Sequence, residues 1–231
     1  MRTLVIGDIH GCYAELQALL DKSGIGDDDA IVSIGDMVNR GPHNDKTLNF
    51  FRRARSPHVR AILGNHERKH IRAYHGDRRP RLSTLLTRWQ LGDEYPHAIT
   101  YMQSLPVYLD LPDALLIHAY WEPGRSLKKQ EDRILVGTSG AEEYLNRAYD
   151  RAWYELYTAG KPLIVGHRDW SGVMKPFIYK DRVWGIDTRC VYGGSLTGLL
   201  LPDFKLVSVP ARRDHFAHFL DRYGEGRYYQ P

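Results

Sequence analysis

Three short apolar segments in the first third of the chain each end in a glycine followed by a side chain that carries an oxygen atom. They are residues 4–6 before Gly7-Asp8, residues 31–34 before Gly35-Asp36, and residues 59–63 before Gly64-Asn65. The three glycines lie 28 and 29 residues apart, close to the roughly 30 residues of a strand–helix–strand unit. This spacing predicts three parallel strands joined by two crossover helices, which restricts the chain to an α/β fold.

The residues between these segments favour crossover helices. Apolar side chains recur at helical spacing within residues 14–20 and, less regularly, within residues 48–54. Because crossovers between parallel strands are right-handed, the loops that follow the three strands leave the same edge of the sheet. We therefore expect the polar residues of the three loops to converge there.

The rest of the chain predicts further strands and helices. Residues 66–104 look helical, with a basic surface loop at residues 78–81, and we interpret them as an insertion over the site. Strands are expected at residues 107–111, 114–117 and 163–165, and a helix at residues 141–157. Tail strands at residues 177–179, 183–186, 196–201 and 206–209 predict a second sheet of antiparallel hairpins, and a helix is expected at residues 214–223. We expect two packed mixed β-sheets flanked by helices, in a single domain of residues 1–231.

The composition excludes several classes of protein. Hydrophobic residues make up 42% and charged residues 26% of the 231, which is typical of a globular protein rather than a disordered or fibrous one. Apolar runs are far shorter than the roughly 20 residues of a membrane span, and no signal region is recognisable, so we expect a cytoplasmic protein. Cys12 and Cys190 are too few for a disulfide scaffold and are expected as free thiols. The net charge of +4 suits an anionic substrate without establishing one.

Seven polar residues lie at five successive predicted strand ends. They are Asp8, His10, Asp36, Asn65, His66, His118 and His167. One such turn aspartate or one buried histidine is ordinarily structural, but the whole set is difficult to explain in that way. Carboxylate and amide oxygens mixed with imidazoles suit manganese, iron or zinc better than calcium or magnesium alone. The sequence therefore predicts a transition-metal site.

Three motifs resemble those of a known superfamily. They are GDIHG at residues 7–11, GDMVNRG at residues 35–41 and GNHE at residues 64–67. They are similar to the phosphoesterase motifs of the calcineurin-like metallophosphoesterases, and within these to the phosphoprotein phosphatase branch that includes the symmetrical diadenosine tetraphosphate hydrolases. Residues 117–118, 166–167, 186–188 and 190–194 extend the resemblance. It implies the four-layer sandwich of that superfamily.

The resemblance also implies two divalent metal ions, of which manganese is favoured, with iron, zinc, nickel and cobalt as alternatives. Asp36 would bridge them, with Asp8 and His10 completing the first site and Asn65, His118 and His167 completing the second. A carboxylate suits the bridging role because both of its oxygens have free lone pairs. Two ions roughly 3.5 to 4 Å apart would hold a hydroxide between them for attack at phosphorus.

Two further residues receive catalytic roles from the resemblance. Arg40 would bind phosphate oxygens and stabilise the charge of the transition state. His66 would protonate the leaving oxygen as the general acid. Asn39 stands where the family usually has an aspartate that stabilises the protonated histidine. Asparagine either lowers the pKa of His66 and slows reaction with poor leaving groups, or only orients the ring.

Two arginines are candidate substrate contacts. Arg189 stands where relatives with this tail commonly have glycine, and Arg168 directly follows His167. With Arg40 they would form a cationic path for a polyphosphate chain or an RNA end. The alternative is that they face solvent or pair with Asp169 and Asp187.

We expect a binuclear-metal phosphoesterase that acts on phosphate esters or phosphoanhydrides, either a diadenosine-tetraphosphatase-like enzyme or a small bacterial-type phosphatase. One alternative is a serine/threonine protein phosphatase, and another is a non-catalytic module that binds phosphate or RNA. The expected partners are a phosphorylated small molecule, a nucleotide or a phosphoprotein, with an RNA end as a further option and no membrane. The sequence does not indicate an oligomeric state.

Overall fold

A computed structural model describes residues 1–138 and 140–224 of the chain, which contain ten strands and eight α-helices. The strands are β1 Thr3–Ile6, β2 Ala30–Ser33, β3 Val59–Ala61, β4 Tyr108–Asp110, β5 Leu115–Ile117, β6 Leu163–Val165, β7 Phe177–Tyr179, β8 Val183–Gly185, β9 Ser195–Leu201 and β10 Lys205–Pro210. The helices are α1 Tyr13–Ser23, α2 Asn44–Arg52, α3 Asn65–Tyr74, α4 Leu82–Leu91, α5 Tyr95–Ser104, α6 Asp132–Leu135, α7 Ala141–Ala148 and α8 His215–Tyr223.

The first sheet has the strand order β10-β9-β1-β2-β3. Its strands β1, β2 and β3 are parallel and are joined through α1 and α2, as the glycine spacing predicts. The second sheet has the order β4-β5-β6-β8-β7, in which β5, β6 and β8 are parallel to one another. Both sheets are therefore mixed, and the expected fold class is confirmed.

The tail strands do not form a sheet of their own, so that prediction is wrong. The hairpin β7–β8 joins the second sheet through β6, whereas the hairpin β9–β10 joins the first sheet through β1. Residues 196–201 of β9 are all buried. A strand covered on both faces lies inside a sheet, and β9 accordingly pairs with β1 on one side and β10 on the other.

Three hydrophobic clusters produce four layers. Val5, Val32, Leu116 and Ile164 belong to the cluster between the two sheets. On the outer face of the first sheet, the side chains of β1 pack against α1, α2 and α5. On the outer face of the second sheet, β5 and β6 pack against α6, α7 and an aromatic segment. Both faces of each sheet are therefore packed against another layer, and this packing holds the ends of the strands in place.

The helix predicted at residues 141–157 is too long. It ends at Ala148, and Tyr149 has an extended backbone. In the irregular segment that follows, the buried side chains are Trp153 and Tyr157, whereas Ala152 and Leu156 of the expected apolar stripe are only half-buried. The predicted strands 163–165 and helix 214–223 are present, the latter capped by the Asp214 side chain. Among the described residues, no helix is both long and apolar enough to span a membrane.

Candidate metal centre

The ends of five strands bring the six predicted metal ligands together. Asp8 and His10 follow β1, Asp36 follows β2 and Asn65 follows β3, while His118 and His167 follow β5 and β6. The carboxyl edges of both sheets meet here, since the backbone N–H of His167 donates to the Asp8 carboxylate across 2.9 Å. The second sheet thus contributes two imidazoles to a cluster that the first sheet supplies with oxygens and with the imidazole of His10.

Asp36 lies between the two groups of imidazoles. Its Oδ2 is 3.7 Å from Nε2 of His10, and its Oδ1 is 3.4 Å from Nε2 of His118. Two ligand clusters share this carboxylate, one with His10 and His66 and the other with His118 and His167, and in each the ligand atoms lie within 4.8 Å of one another. Each oxygen of Asp36 can therefore serve a different cation.

Hydrogen bonds fix two of these imidazoles in orientations suited to a ligand. Nδ1 of His10 donates to the Val38 carbonyl at 2.9 Å, and Nδ1 of His118 donates to the Ile34 carbonyl at 2.8 Å. In each ring the proton on Nδ1 leaves Nε2 facing Asp36. Backbone carbonyls orient metal-bound histidines in the same way in other proteins.

Two buried oxygens also fit a metal centre. Within residues 1–138 and 140–224, Oδ2 of Asp8 and Oδ1 of Asn65 have no hydrogen-bond partner. A buried polar atom without a partner is costly, by about 1 to 3 kcal/mol, unless a water or an ion satisfies it. Both atoms belong to predicted ligands, so the donors present in the site fit a pair of cations.

The charges of the site lead to the same conclusion. Burial and the neighbouring Asp187 carboxylate raise the pKa of Asp8 well above its usual value. Burial lowers the pKa values of His10 and His167 to about 3, which keeps both rings neutral. Burial would also lower the pKa of His118, but the Asp36 carboxylate raises it to about 10. Bound cations would reduce the repulsion between the neighbouring carboxylates. They would also replace the proton that His118 carries on Nε2.

Glu67 holds the loop that carries Asp36. Its carboxylate accepts the backbone N–H groups of Asp36 and Met37, both at 2.8 Å, and of Gly64 at 3.1 Å. The loop requires this support because Asp36 itself has φ 52°, in the left-handed region. A Cβ on Gly64 would collide with Asp36, so only glycine fits at the start of α3. Sequence reasoning missed the role of Glu67, although an acid at the third position of a helix is a capping signal.

Asn39 contacts the predicted general acid directly. Its side chain is fully buried, and its Nδ2 lies 3.0 Å from Nδ1 of His66. The amide oxygen faces Nε2 of His70 at 3.0 Å and the Thr87 hydroxyl at 3.1 Å. These partners orient the amide so that it donates to His66, which leaves the ring proton on Nε2. Burial and the Arg40 guanidinium lower the pKa of His66 well below its usual value. His70 and Thr87 were not identified from the sequence.

The structure places the three candidate arginines differently from one another. Arg40 donates to Nε2 of His10 at 3.0 Å and thus reaches the metal centre. Arg168 pairs with Glu142 and lies over the Trp170 ring. The guanidinium of Arg189 lies 3.9 Å from the centroid of the Tyr192 ring. Arg168 and Arg189 are therefore held by neighbours other than Asp169 and Asp187, although the backbone N–H of Arg189 does donate to Asp187.

Two cavities open beside the metal centre. The first, of about 330 Å³ and here called the metal-side cavity, includes Asn65 and His167 in its lining. The second, of about 190 Å³ and here called the α8 cavity, includes Arg40, His66 and the side of α8. Three cations that sequence reasoning did not assign to the site line both cavities: Lys69, Arg78 and Arg81.

Lys69 is the most enclosed of these cations. Burial, together with Arg40, Arg78 and Arg81, lowers its pKa to about 8 although Asp36 opposes the change. A signal for this residue was present in the sequence, because it follows Asn65 by four positions and so lies on the same face of α3. The segment of residues 78–81, expected as a basic surface loop, contributes two of its arginines to the cavities.

Comparisons with known proteins agree with this geometry. A family model described as calcineurin-like phosphoesterase matches residues 1–211. The chain is 30% identical over 230 residues to the asymmetrical bis(5'-nucleosyl)-tetraphosphatase PrpE of Bacillus velezensis, with 89% of this chain and 91% of that protein covered. It is 29% identical over 167 residues to a symmetrical bis(5'-nucleosyl)-tetraphosphatase of a Shewanella strain, with 70% and 60% covered.

Solved structures share the fold. A crystal structure of a proposed diadenosine tetraphosphatase matches with a TM-score of 0.75 and 25% identity, covering 91% of this chain and 93% of that one. A metallophosphoesterase from Sphaerobacter thermophilus matches with a TM-score of 0.58 and 20% identity, covering 97% and 95%. The resemblance of the three sequence motifs is thereby confirmed over most of the chain.

Proposed function

The chain belongs to the calcineurin-like phosphoesterase family, and from this premise we propose that it hydrolyses the phosphoanhydride chain of dinucleoside polyphosphates. The observation that carries the proposal is the position of Asp36, whose two oxygens face His10 and His118 separately. The names of the relatives in Bacillus velezensis and Shewanella favour a dinucleoside tetraphosphate over a protein substrate. We also propose that residues 1–231 act as one catalytic domain, and a cytoplasmic location stays a prediction.

Six residues would hold the divalent ions. Asp8, His10 and Asp36 would form one site, and Asp36, Asn65, His118 and His167 the other. Ions bound there supply acidification of a water molecule and neutralisation of charge on the phosphoryl oxygens. The neutral imidazoles of His10 and His167, and the oxygens of Asp8 and Asn65 that have no hydrogen-bond partner among the described residues, support this assignment. Manganese is the ion we expect.

The chain's own residues position and protonate the substrate. The Arg40 guanidinium beside His10 is placed to bind oxygens of the reacting phosphoryl group and to stabilise charge that develops on them. Because Asn39 donates to Nδ1 of the neutral His66 ring, Nε2 carries the N–H that would donate a hydrogen bond to the leaving oxygen, and transfer of a proton to that oxygen requires the ring to be protonated first. Asn39 is thus a positioning residue that sets which nitrogen of His66 carries the proton.

A substrate panel tests the proposed function. The purified protein supplied with Mn²⁺ is expected to cleave diadenosine tetraphosphate with a higher kcat/KM than a phosphoserine peptide, a cyclic nucleotide or an RNA 5'-phosphate. A preference for the peptide would identify a serine/threonine phosphatase instead. Absence of turnover with every substrate, despite bound manganese, would identify a non-catalytic phosphate-binding module.

A further inference from the structure

The α8 cavity has one charged wall and one apolar wall. Arg40, His66 and Lys69 lie on the charged side. The apolar side consists of Tyr192, Phe216, Phe219 and Leu220, of which the last three belong to α8. Ligand sites that are mainly apolar with a few convergent polar groups hold flat organic groups rather than bare ions. This wall is unnecessary for a substrate that consists of phosphate alone.

The two cavities are joined by cations that a single phosphate does not require. Lys69, Arg78 and Arg81 line both, in addition to Arg40, which we assign to the reacting phosphoryl group. Three additional cations beside the metal centre match a chain of several phosphates, because each can pair with a separate anionic group. A phosphoprotein monoester brings only one phosphate to this position.

The location of His66 indicates which part of the substrate enters the α8 cavity. His66 lines the α8 cavity, while the predicted metal ligands Asn65 and His167 line the metal-side cavity. A general acid must lie within hydrogen-bond reach of the oxygen that it protonates. The leaving group therefore departs towards α8, and the rest of the substrate extends into the metal-side cavity.

We infer that the α8 cavity binds the nucleobase of the leaving nucleotide, with Lys69, Arg78 and Arg81 contacting phosphates of the chain. The inference rests on the proposed function and assigns a substrate subsite to residues outside the three motifs. The rings of Phe216 and Phe219 are nearly parallel, at 9°, with centroids 5.9 Å apart. Arg40 lies 6.0 Å from the centroid of Phe216, so a base on this wall adjoins the reacting phosphate.

Equilibrium binding separates the base from the phosphates. Isothermal titration calorimetry compares α,β-methylene-ADP with methylenediphosphonate, which carries the same P–C–P unit without adenosine, on the Mn²⁺-loaded protein. Stacking of a base on an aromatic side chain typically strengthens binding by about 5- to 150-fold, so the nucleotide is expected to bind more tightly by a factor in this range. Phe216→Leu, which keeps apolar bulk beside Arg40, is expected to remove most of this difference without weakening methylenediphosphonate.

Two further variants complete the test. Arg78→Ala is expected to weaken both ligands by a similar factor, whereas His218→Ala, an exposed position on α8, is expected to change neither. Equal affinity of the wild-type protein for the two ligands would overturn the inference, as would equal weakening of both by Phe216→Leu. These measurements need no turnover, so a base-dependent affinity in a protein that hydrolyses none of the panel would refute the proposed function and leave the subsite standing.

Discussion

The chemistry of the centre depends on the positions of individual protons. His10 and His118 each donate a hydrogen bond from Nδ1 to a backbone carbonyl, which directs Nε2 towards Asp36. In His66 the Nδ1 atom is the acceptor instead, because the amide of Asn39 donates to it. The neutral rings of His10 and His66 thus have opposite tautomers, whereas His118, whose pKa is raised to about 10, carries a proton on both nitrogens until a cation replaces the one on Nε2.

The Asn39→Asp variant tests the role of this amide. A carboxylate beside Nδ1 would stabilise the protonated ring, so the rate with a phosphopeptide, whose leaving group is poor, is expected to increase. The rate with p-nitrophenyl phosphate, whose leaving group needs little protonation, is expected to change less. Steady-state kcat for the two substrates measures the difference. An equal or lower rate with both would show that Asn39 only orients the ring.

Lys69 predicts a pH dependence of substrate binding. Because its pKa is lowered to about 8, its positive charge is present below that pH and is lost above it. The KM for diadenosine tetraphosphate is therefore expected to rise between pH 7 and pH 9.5, by about tenfold or more if one charge-assisted hydrogen bond is lost. Lys69→Arg keeps the charge throughout this range and is expected to abolish the rise. The same rise in both proteins would exclude Lys69 as its origin.

Individual site residues were predictable to the extent that they belong to short motifs. Asp8, Asp36 and Asn65 each lie within four residues of a strand end, and local spacing places them at one edge. Arg78 and Arg81 were instead assigned to a basic surface loop of the segment expected over the site, because nothing near them in the sequence shows that their side chains line its cavities. His70 reaches Asn39 from 31 residues away, and such a contact depends on how helices pack.

At the scale of elements, the N-terminus of α3 organises the loop after β2. Glu67, near the start of this helix, accepts three backbone N–H groups of residues 36–38 through its two carboxylate oxygens. The loop is strained at Asp36, Asn39 and Arg40, all with positive φ. A helix packed on the sheet thus keeps Asp36, Asn39 and Arg40, the proposed ligand, positioning residue and phosphate contact, in fixed positions.

Glu67→Gln tests this support. An amide has only one acceptor oxygen, so some of the N–H groups would lose their partner, and we expect a loss of about 1 to 3 kcal/mol in the free energy of unfolding. Manganese affinity is expected to fall by about 10- to 100-fold, as for other groups that orient metal ligands. Urea unfolding and Mn²⁺ titration measure the two effects. Glu155→Gln, at an exposed position, is the control, and affinity equal to wild type in Glu67→Gln would contradict the role.

The positions of the strands were largely predictable from the sequence, but the strands with which some of them pair were not. The 28- and 29-residue spacing of glycines fixes the pairing of β1, β2 and β3, because short crossovers connect neighbouring parallel strands. The tail lacks such a constraint. Two consecutive hairpins go to different sheets, because β8 pairs with β6 whereas β9 pairs with β1, and neither long-range pairing is visible in the local sequence pattern.

At the scale of the whole molecule, one buried contact ties the beginning of the chain to its end. Glu15 of α1 accepts a 2.8 Å hydrogen bond from Nε2 of His215 in α8, across 200 residues. It also accepts the backbone N–H of Arg212 at 3.0 Å. This contact positions α8 and, with it, the apolar wall of the α8 cavity. Sequence reasoning did not find it because neither residue belongs to a motif.

The Glu15 contact predicts a dependence of stability on acid. Burial would raise the pKa of Glu15, but the hydrogen bonds from His215 and Arg212 lower it from 4.5 to about 2. The carboxylate therefore stabilises the fold above about pH 4.5, by on the order of 3 kcal/mol, and this contribution is lost as pH falls towards 2. Urea unfolding at several pH values is expected to show that the free energy of unfolding falls less with acid in Glu15→Gln than in the wild-type protein. Parallel pH profiles for the two proteins would contradict the assignment.

We propose that both sheets supply ligands to two cations that share Asp36. The most direct test measures bound manganese per chain by elemental analysis after equilibration with Mn²⁺, in the wild-type protein and in Asp8→Asn and Asp36→Asn. Two ions are expected in the wild type, about one in Asp8→Asn, and fewer than one in Asp36→Asn. Two ions retained by Asp36→Asn, or none bound by the wild type, would contradict the account.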